Sequence, residues 1–144
     1  MSEEKQKLSV REVMNLHGAL RSLDGRQKVE AGQVITEPFT FENGAVRLSI
    51  AFNIASLNRV MESAELARVA LVRETFGTEA ARPDHPKMEE FQRKHQEILS
   101  GDGVTLSNLR KIKFEDLNAD ENRMPPSIIA MLMPILEMPG EKMN

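Results

Sequence analysis

One stretch decides the fold of this chain: residues 45–76, which read AVRLSIAFNIASLNRVMESAELARVALVRETF. Apolar side chains recur in it every three or four residues, which is the spacing that places them on one face of an α-helix. This stripe consists of Val46, Ile50, Ile54, Leu57, Met61, Ala64, Leu71 and Val72. The pattern predicts a helix of about 30 residues, roughly 45 Å long.

A second, weaker apolar strip follows the far side of the same helix. It consists of Leu48, Phe52, Leu66 and Ala70. A helix that is apolar on two sides is typical of one packed between two partners. Because 144 residues build one domain with a modest core, we expect this strip to reach another polypeptide. The sequence therefore predicts a homo-oligomer or a stable hetero-complex, with Leu48, Phe52 and Leu66 near the contact.

The long helix is flanked by two shorter amphipathic helices. The first spans about Val10 to Leu23, and Ser9 with Glu12 has the spacing of a capping box at its start. The second spans about Lys87 to Leu99 and follows a connection of about ten residues that contains two prolines. A connection of that length favours an antiparallel helical hairpin over about residues 45–99.

The remaining segments predict two strands and a short last helix. Val34–Phe41 is rich in β-branched and aromatic residues, and apolar side chains alternate over 104–114, so these two segments are expected to pair as a small ribbon. Pro125 and Pro126 open the last helix, which Pro134 breaks. The fold class predicted is thus α+β and mainly helical. We expect a flexible N-terminus (1–8), one domain (9–137) and a flexible tail (138–144).

Composition excludes several classes of protein. The net charge is −3, so the chain lacks the strongly cationic surface of a non-specific nucleic-acid binder. It has no Cys, Trp or Tyr, which argues against zinc ribbons, thiol nucleophiles and base-stacking platforms. The N-terminus has no apolar segment typical of a signal peptide, and no run of apolar residues is long enough to cross a bilayer. We expect a soluble protein.

Catalytic and metal-binding motifs are not evident. His85 and Glu89 have the spacing of two ligands, but Pro86 between them disfavours helical geometry. His17 and His95 fall on apolar faces, where a packed imidazole is the simpler interpretation. No nucleophile elbow or phosphate-binding loop occurs. We therefore predict a non-enzymatic protein with no bound metal and no organic cofactor.

A polar pair is expected inside the hairpin. Arg68 falls at the centre of the main apolar stripe, where it is either buried with a partner or extends its charge into solvent. In an antiparallel hairpin Phe76 lies across from about Met88, which brings Arg68 and His95 to the same level. We expect the guanidinium to lie flat on the His95 imidazole or on Phe91, with its remaining donors reaching Glu65 one turn back or a backbone carbonyl.

Two surface features point to partners. Five of the nine methionines lie in the last 21 residues, and flexible thioethers suit an adaptable contact surface. We expect whichever of Met131 and Met133 faces inward to fill the core beside Leu132, and the remaining methionines of this segment, Met124, Met138 and Met143 included, to contact a partner. Residues 110–113 (RKIK) are a short basic patch, which is either a solvated strand face or a contact to a nucleic-acid backbone.

Several segments together resemble a family of small proteins from tailed bacteriophages and prophages, whose function is unassigned. They are Leu23-Asp24-Gly25, Pro38-Phe39-Thr40-Phe41, Val46-Arg47, Ile50-Ala51-Phe52-Asn53-Ile54, Leu57, Ala67-Arg68 and Leu71. In that family an aromatic-containing strand precedes a long helix with an I-A-x-N-L pattern and an interior Arg. The resemblance covers about residues 9–117, departs at Phe39, where a Tyr is usual, and implies a phage origin without a defined activity.

These observations lead to one favoured function and two alternatives. The favoured one is a non-enzymatic phage protein that acts through protein–protein contacts, as a virion accessory component or an inhibitor of a host protein. Its location would then be the host cytoplasm or the virion. The alternatives are a DNA-associated regulator that uses residues 110–113 and, less favoured, a small hydrolase.

Overall fold

The chain alternates short strands with helices, and the long stretch of residues 45–76 forms the longest helix. The computed structural model describes residues 7–23, 26–37, 39–78 and 83–139. The helices are α1 (Val10–Leu23), α2 (Ala45–Phe76), α3 (Met88–Ser100), α4 (Ala119–Asn122) and α5 (Pro126–Leu132). The strands are β1 (Lys7–Ser9), β2 (Arg26–Glu30), β3 (Gln33–Glu37), β4 (Asp102–Thr105), β5 (Ile112–Lys113) and β6 (Leu136–Glu137). The predicted mainly helical α+β fold is confirmed.

The ends of the long helices follow from local hydrogen bonding. The backbone N–H of Ser9 donates to Glu12 Oε1 at 2.9 Å, and the N–H of Glu12 donates to Ser9 Oγ at 3.2 Å, so the predicted capping box starts α1. Helix α2 ends at Gly77, whose φ of 74° only glycine adopts without strain. The N–H of Gly77 donates to the carbonyl of Arg73 at 2.8 Å and closes the last turn.

Two apolar clusters hold the helices together. The larger one packs α1 and the first half of α2 against α5 and the segments around it. The smaller one joins the end of α2 to α3 through Leu71, Val72, Phe76 and Phe91, with Phe76 and Phe91 ring centroids 5.4 Å apart. This second cluster forms the predicted antiparallel hairpin. None of the helices in the described ranges combines the length and apolarity that crossing a membrane requires.

The predicted pairing of 34–41 with 104–114 is wrong. Strand β3 instead pairs with β2 in a hairpin, whose two-residue turn at Ala31 and Gly32 has positive φ at both positions. Such a turn matches the twist of the flanking strands, and a loop this short costs far less chain entropy than a pairing across roughly seventy residues. The second segment is broken by a 3₁₀ turn at Leu106–Asn108, so that its two ends belong to separate strands, β4 and β5.

Strand β4 finds its partner at the other end of the chain. It pairs antiparallel with β1, with Leu8 opposite Val104, and Leu8 is buried in the main core. The ordered domain thus begins at or before Lys7, inside the segment expected to be the N-terminal tail. Residues 1–6 and 140–144 of the two expected tails lie outside the described residues. Strands β5 and β6 form a third, parallel pair.

Candidate functional site

Three large apolar side chains of α2 face solvent. Leu48 is 59% exposed, Phe52 40% and Leu66 71%. Leu48 and Leu66 lie a whole number of helical turns apart and point in the same direction, opposite to the buried Ile50 and Leu57. We call Leu48, Phe52 and Leu66 the outer apolar face. The Arg110 guanidinium lies over the Phe52 ring, whereas the described part of the chain leaves Leu48 and Leu66 largely uncovered.

Met131 and Met133 are also exposed, and the expectation that one of them faces inward is wrong. Helix α5 ends at Leu132 and continues as a 3₁₀ turn, Met133–Ile135. Leu132 and Ile135, three residues apart, therefore share the inward direction and are fully buried. The two methionines lie on either side of that direction and present their thioethers to solvent. The core methionine of this region is Met124.

A groove of about 650 Å³ separates α2 from β4. We call it the α2–β4 groove. It is lined by Phe52, Ala55, Ser56, Arg59 and Val60 of α2 and by Gly103, Val104, Thr105 and Asn108. Phe52 thus belongs both to the outer apolar face and to this groove. None of the described residues that line the groove carries a carboxylate.

Neighbouring residues of α2 hold the same loop residue, Arg110, in two different ways. Asn53 is fully buried; its Nδ2 donates to the carbonyl of Arg110 at 3.0 Å, and its Oδ1 accepts from the N–H of Arg110 at 2.7 Å. Phe52, on the exposed side, carries the Arg110 guanidinium 4.7 Å from its ring centroid. The buried amide therefore fixes the backbone of Arg110, whose guanidinium lies against Phe52, one of the residues that line the groove.

In the hairpin, the Arg68 guanidinium is not a buried charge, and Arg68 and His95 have different partners. Arg68 and His95 line the same small cavity of about 110 Å³ between α1, α2 and α3. The Arg68 side chain is 40% exposed, and its Nε and Nη2 donate to the two oxygens of Glu65 at 3.0 and 2.7 Å. His95 stacks on Phe91, with ring centroids 5.6 Å apart. The guanidinium thus reaches Glu65, and the imidazole takes the aromatic contact.

Replacing Arg68 tests this arrangement. The hydrogen bond from Arg68 lowers the pKa of Glu65, so the pair stabilises the fold at neutral pH and loses that effect as the pH falls through the lowered pKa. Because the pair is exposed, we expect Arg68→Leu to leave Tm almost unchanged. Arg68→Glu should lower Tm by a few degrees, because it places a second carboxylate one turn from Glu65. Thermal melts check this, and equal melting of both variants with the native protein would contradict it.

The other two histidines have structural contacts. His85 precedes α3; its Nδ1 accepts the N–H of Lys87 at 3.0 Å, and its ring meets the edge of Phe76 at 5.0 Å. His17 Nε2 lies 2.8 Å from Asn58 Oδ1. Among the described residues, no three His, Asp or Glu side chains come together as a metal site would need.

The basic patch at residues 110–113 does not form one cationic surface. Arg110 lies over Phe52 beside the α2–β4 groove. Lys111 and Lys113 line a separate groove near the start of α2, together with Asp116 and Glu137. Two carboxylates beside two ammonium groups make that second groove a poor match for a phosphate backbone.

Comparisons of the chain with protein families, with curated proteins and with solved structures find no match. The interpretation of these surfaces therefore rests on their own geometry.

Sequence reasoning predicts the outer apolar face but misses the groove. The available signal is Arg59, which follows Phe52 by seven residues and lies on the same side of the helix. The second wall of the groove, β4, cannot be placed from the sequence because its partner strand is β1, at the opposite end of the domain. In the sequence, Arg110 stands out only as one charge of a basic patch.

Proposed function

We propose that this protein acts without catalysis, by binding another protein through the outer apolar face of α2. The observation that carries the proposal is the exposure of Leu48, Phe52 and Leu66 on a helix whose opposite side already packs the core. Exposed apolar groups gain free energy when they are removed from water, so a row of them along one side of a long helix is a candidate contact surface. The partner is a second copy of this chain, another protein of the same phage or a host protein.

The resemblance to small tailed-phage proteins indicates the biological context of the proposed function. A virion accessory component and an inhibitor of a host protein both act by contact alone, and the bound protein would reside in the virion or the host cytoplasm. Met131 and Met133 are a second candidate contact, since their exposed thioethers adapt to an apolar partner.

A charge-insertion variant tests the outer apolar face. We expect Leu48→Lys/Leu66→Lys to keep the native Tm within a few degrees, because both side chains are exposed, and to lose the assembly that the native protein forms. Sedimentation velocity across the micromolar range measures self-association. Asn15→Lys/Gln92→Lys adds the same charge at exposed helical positions and should assemble normally.

A hetero-complex is detected by photo-crosslinking. A p-benzoylphenylalanine residue introduced at Leu66 should form adducts with a protein in the producing or infected bacteria, and the same residue at Gln92 should not. A native protein that sediments as a monomer and gives no adduct at either position would contradict the proposed function.

DNA association is the alternative function, based on residues 110–113. Salt-dependent binding of duplex DNA that is lost in Lys111→Glu/Lys113→Glu would replace the present proposal. We favour protein binding because Lys111 and Lys113 share their groove with Asp116 and Glu137.

A further inference from the structure

We infer that the α2–β4 groove binds an extended, acidic peptide segment of the partner protein, which adds as a third strand to the exposed edge of β4. The inference rests on the proposed function, since Phe52 is common to the groove and the outer apolar face, and it adds the form and charge of the partner. Peptides that join an exposed sheet edge gain affinity from backbone hydrogen bonds and specificity from side-chain pockets.

The geometry of β4 indicates that the peptide would bind along one edge of this strand. Successive residues of a strand point to opposite faces of a sheet. Gly103, Val104 and Thr105 are consecutive and all three line the groove, and Gly103 is the extra residue at a bulge in the β1–β4 pairing, so the groove follows the backbone of β4. The other edge pairs with β1, and no second strand joins β4 within the described ranges. The groove therefore runs beside backbone groups that have no strand partner.

The residues that line the groove can accommodate one apolar side chain of a peptide, flanked by polar side chains. Phe52, Val60 and Val104 offer apolar contact, whereas Ser56, Thr105 and Asn108 offer hydrogen bonds. This mixture fits an extended peptide, whose successive side chains alternate between the groove and solvent. With three residues of β4 lining the groove, the added strand is short.

The positive charges at the groove favour an acidic peptide as its ligand. Arg59 lines one wall, and Arg110 lies over Phe52 at its margin. No carboxylate of the described residues lines the groove; the nearest along β4 is Asp102, which faces Lys7 Nζ at 3.5 Å. Two arginines without a lining acid complement carboxylates on either side of the apolar residue.

Single-stranded nucleic acid is the other anionic ligand to consider for the α2–β4 groove. The groove suits it less well than an acidic peptide. Base stacking needs an open aromatic face, and the Phe52 ring already carries the Arg110 guanidinium. The chain contains no Trp or Tyr to provide another, and its net charge is −3. A peptide is therefore the occupant that this chemistry favours.

Selection from a displayed library of random peptides about twelve residues long, against the full 144-residue protein, tests the inference. We expect enrichment of peptides with Asp or Glu two residues before and two residues after an apolar residue, so that all three side chains face the groove. The enriched peptides should bind Arg59→Glu and Arg110→Glu about tenfold more weakly or worse. Lys111→Glu, a matched control next to Arg110 but outside the groove, should bind them normally. The amide NMR signals of Gly103, Val104 and Thr105 should shift when they bind.

Each other outcome overturns the inference. Enrichment of neutral or basic peptides, no enrichment, or equal binding to Arg59→Glu would reject an acidic peptide in this groove. Tighter binding of a single-stranded oligonucleotide than of any selected peptide would assign the groove to nucleic acid. Peptides that keep their affinity for Arg59→Glu but lose it for Leu48→Lys/Leu66→Lys would place binding on the outer apolar face. The proposed function would then stand while this inference fails.

Discussion

Asn122→Asp is expected to destabilise the protein by roughly 3–5 kcal/mol at neutral pH, since it both breaks buried hydrogen bonds and buries a charge. Asn122 is buried, and its Nδ2 donates to the carbonyls of Thr40 at 2.7 Å and Leu117 at 3.0 Å. Its Oδ1 accepts the N–H of Thr40 at 3.0 Å. A carboxylate keeps the acceptor but sets a second oxygen against two carbonyl oxygens.

The pH dependence of this variant identifies the cause. Burial beside two carbonyl oxygens raises the pKa of the new carboxyl above its value in the unfolded chain. Protonation then favours the folded state, so the loss of stability should be full at neutral pH and shrink as the pH falls below the raised pKa. Urea unfolding at neutral and acid pH measures this. Asn15→Asp, at an exposed position of α1, is the control and should change little. An Asn122→Asp variant as stable as this control would contradict the hydrogen-bonded arrangement.

Gly103→Ala is expected to lower the free energy of unfolding by about 1–3 kcal/mol, because the site has no room for a methyl group. A Cβ at this position would lie 2.7 Å from Val13 Cγ2, 3.1 Å from the carbonyl oxygen of Leu8 and 3.2 Å from the carbonyl carbon of Ser9. Two of these three neighbours are backbone atoms of β1, which cannot turn away as a side chain does. The methyl group would push β4 away from its partner strand.

A second glycine gives the opposite result and serves as the control. Gly18 lies within α1, and a Cβ added there would have no neighbouring atom within 4 Å. Gly18→Ala should therefore raise the free energy of unfolding by about 0.5–1 kcal/mol. Chemical denaturation of both variants measures the difference. Destabilisation of similar size in both would show that the packing of β4 on β1 is not the cause.

The helices could be predicted from the sequence because their signals are local. The bounds of α1 and α2 follow from apolar spacing, a capping box and a terminal glycine. The outer apolar face was predictable for the same reason, since helical periodicity alone separates Leu48 and Leu66 from the buried stripe. The pairing of β1 with β4 was not predictable, because the two strands are joined only by the tertiary fold, whereas β2 and β3 form a local hairpin.

The buried polar contacts of the core were also not predictable from the sequence. Asn is a residue type that is mostly exposed, so the sequence gives no sign that Asn53 and Asn122 are buried. The segment around Asn122 has the composition of an acidic loop. Their role depends on backbone groups of residues 40, 110 and 117, whose positions no local pattern reveals. Asn53 stands out in the sequence only as part of the stretch Ile50-Ala51-Phe52-Asn53-Ile54. Arg47, earlier in α2, donates to the carbonyls of Leu23 and Phe39.

The pairing of β1 with β4 also limits the order in which the chain can fold during synthesis. Strand β1 leaves the ribosome before α2 and α3, but its partner β4 is made only after both of these helices. The smaller cluster between α2 and α3 is local in sequence and can form early, whereas the main core needs α5 near the end of the chain. Until then the side of α1 that packs on α5 stays exposed to chaperones and proteases. Strand β1, although made before both helices of the hairpin, is thus among the last elements to find its partner.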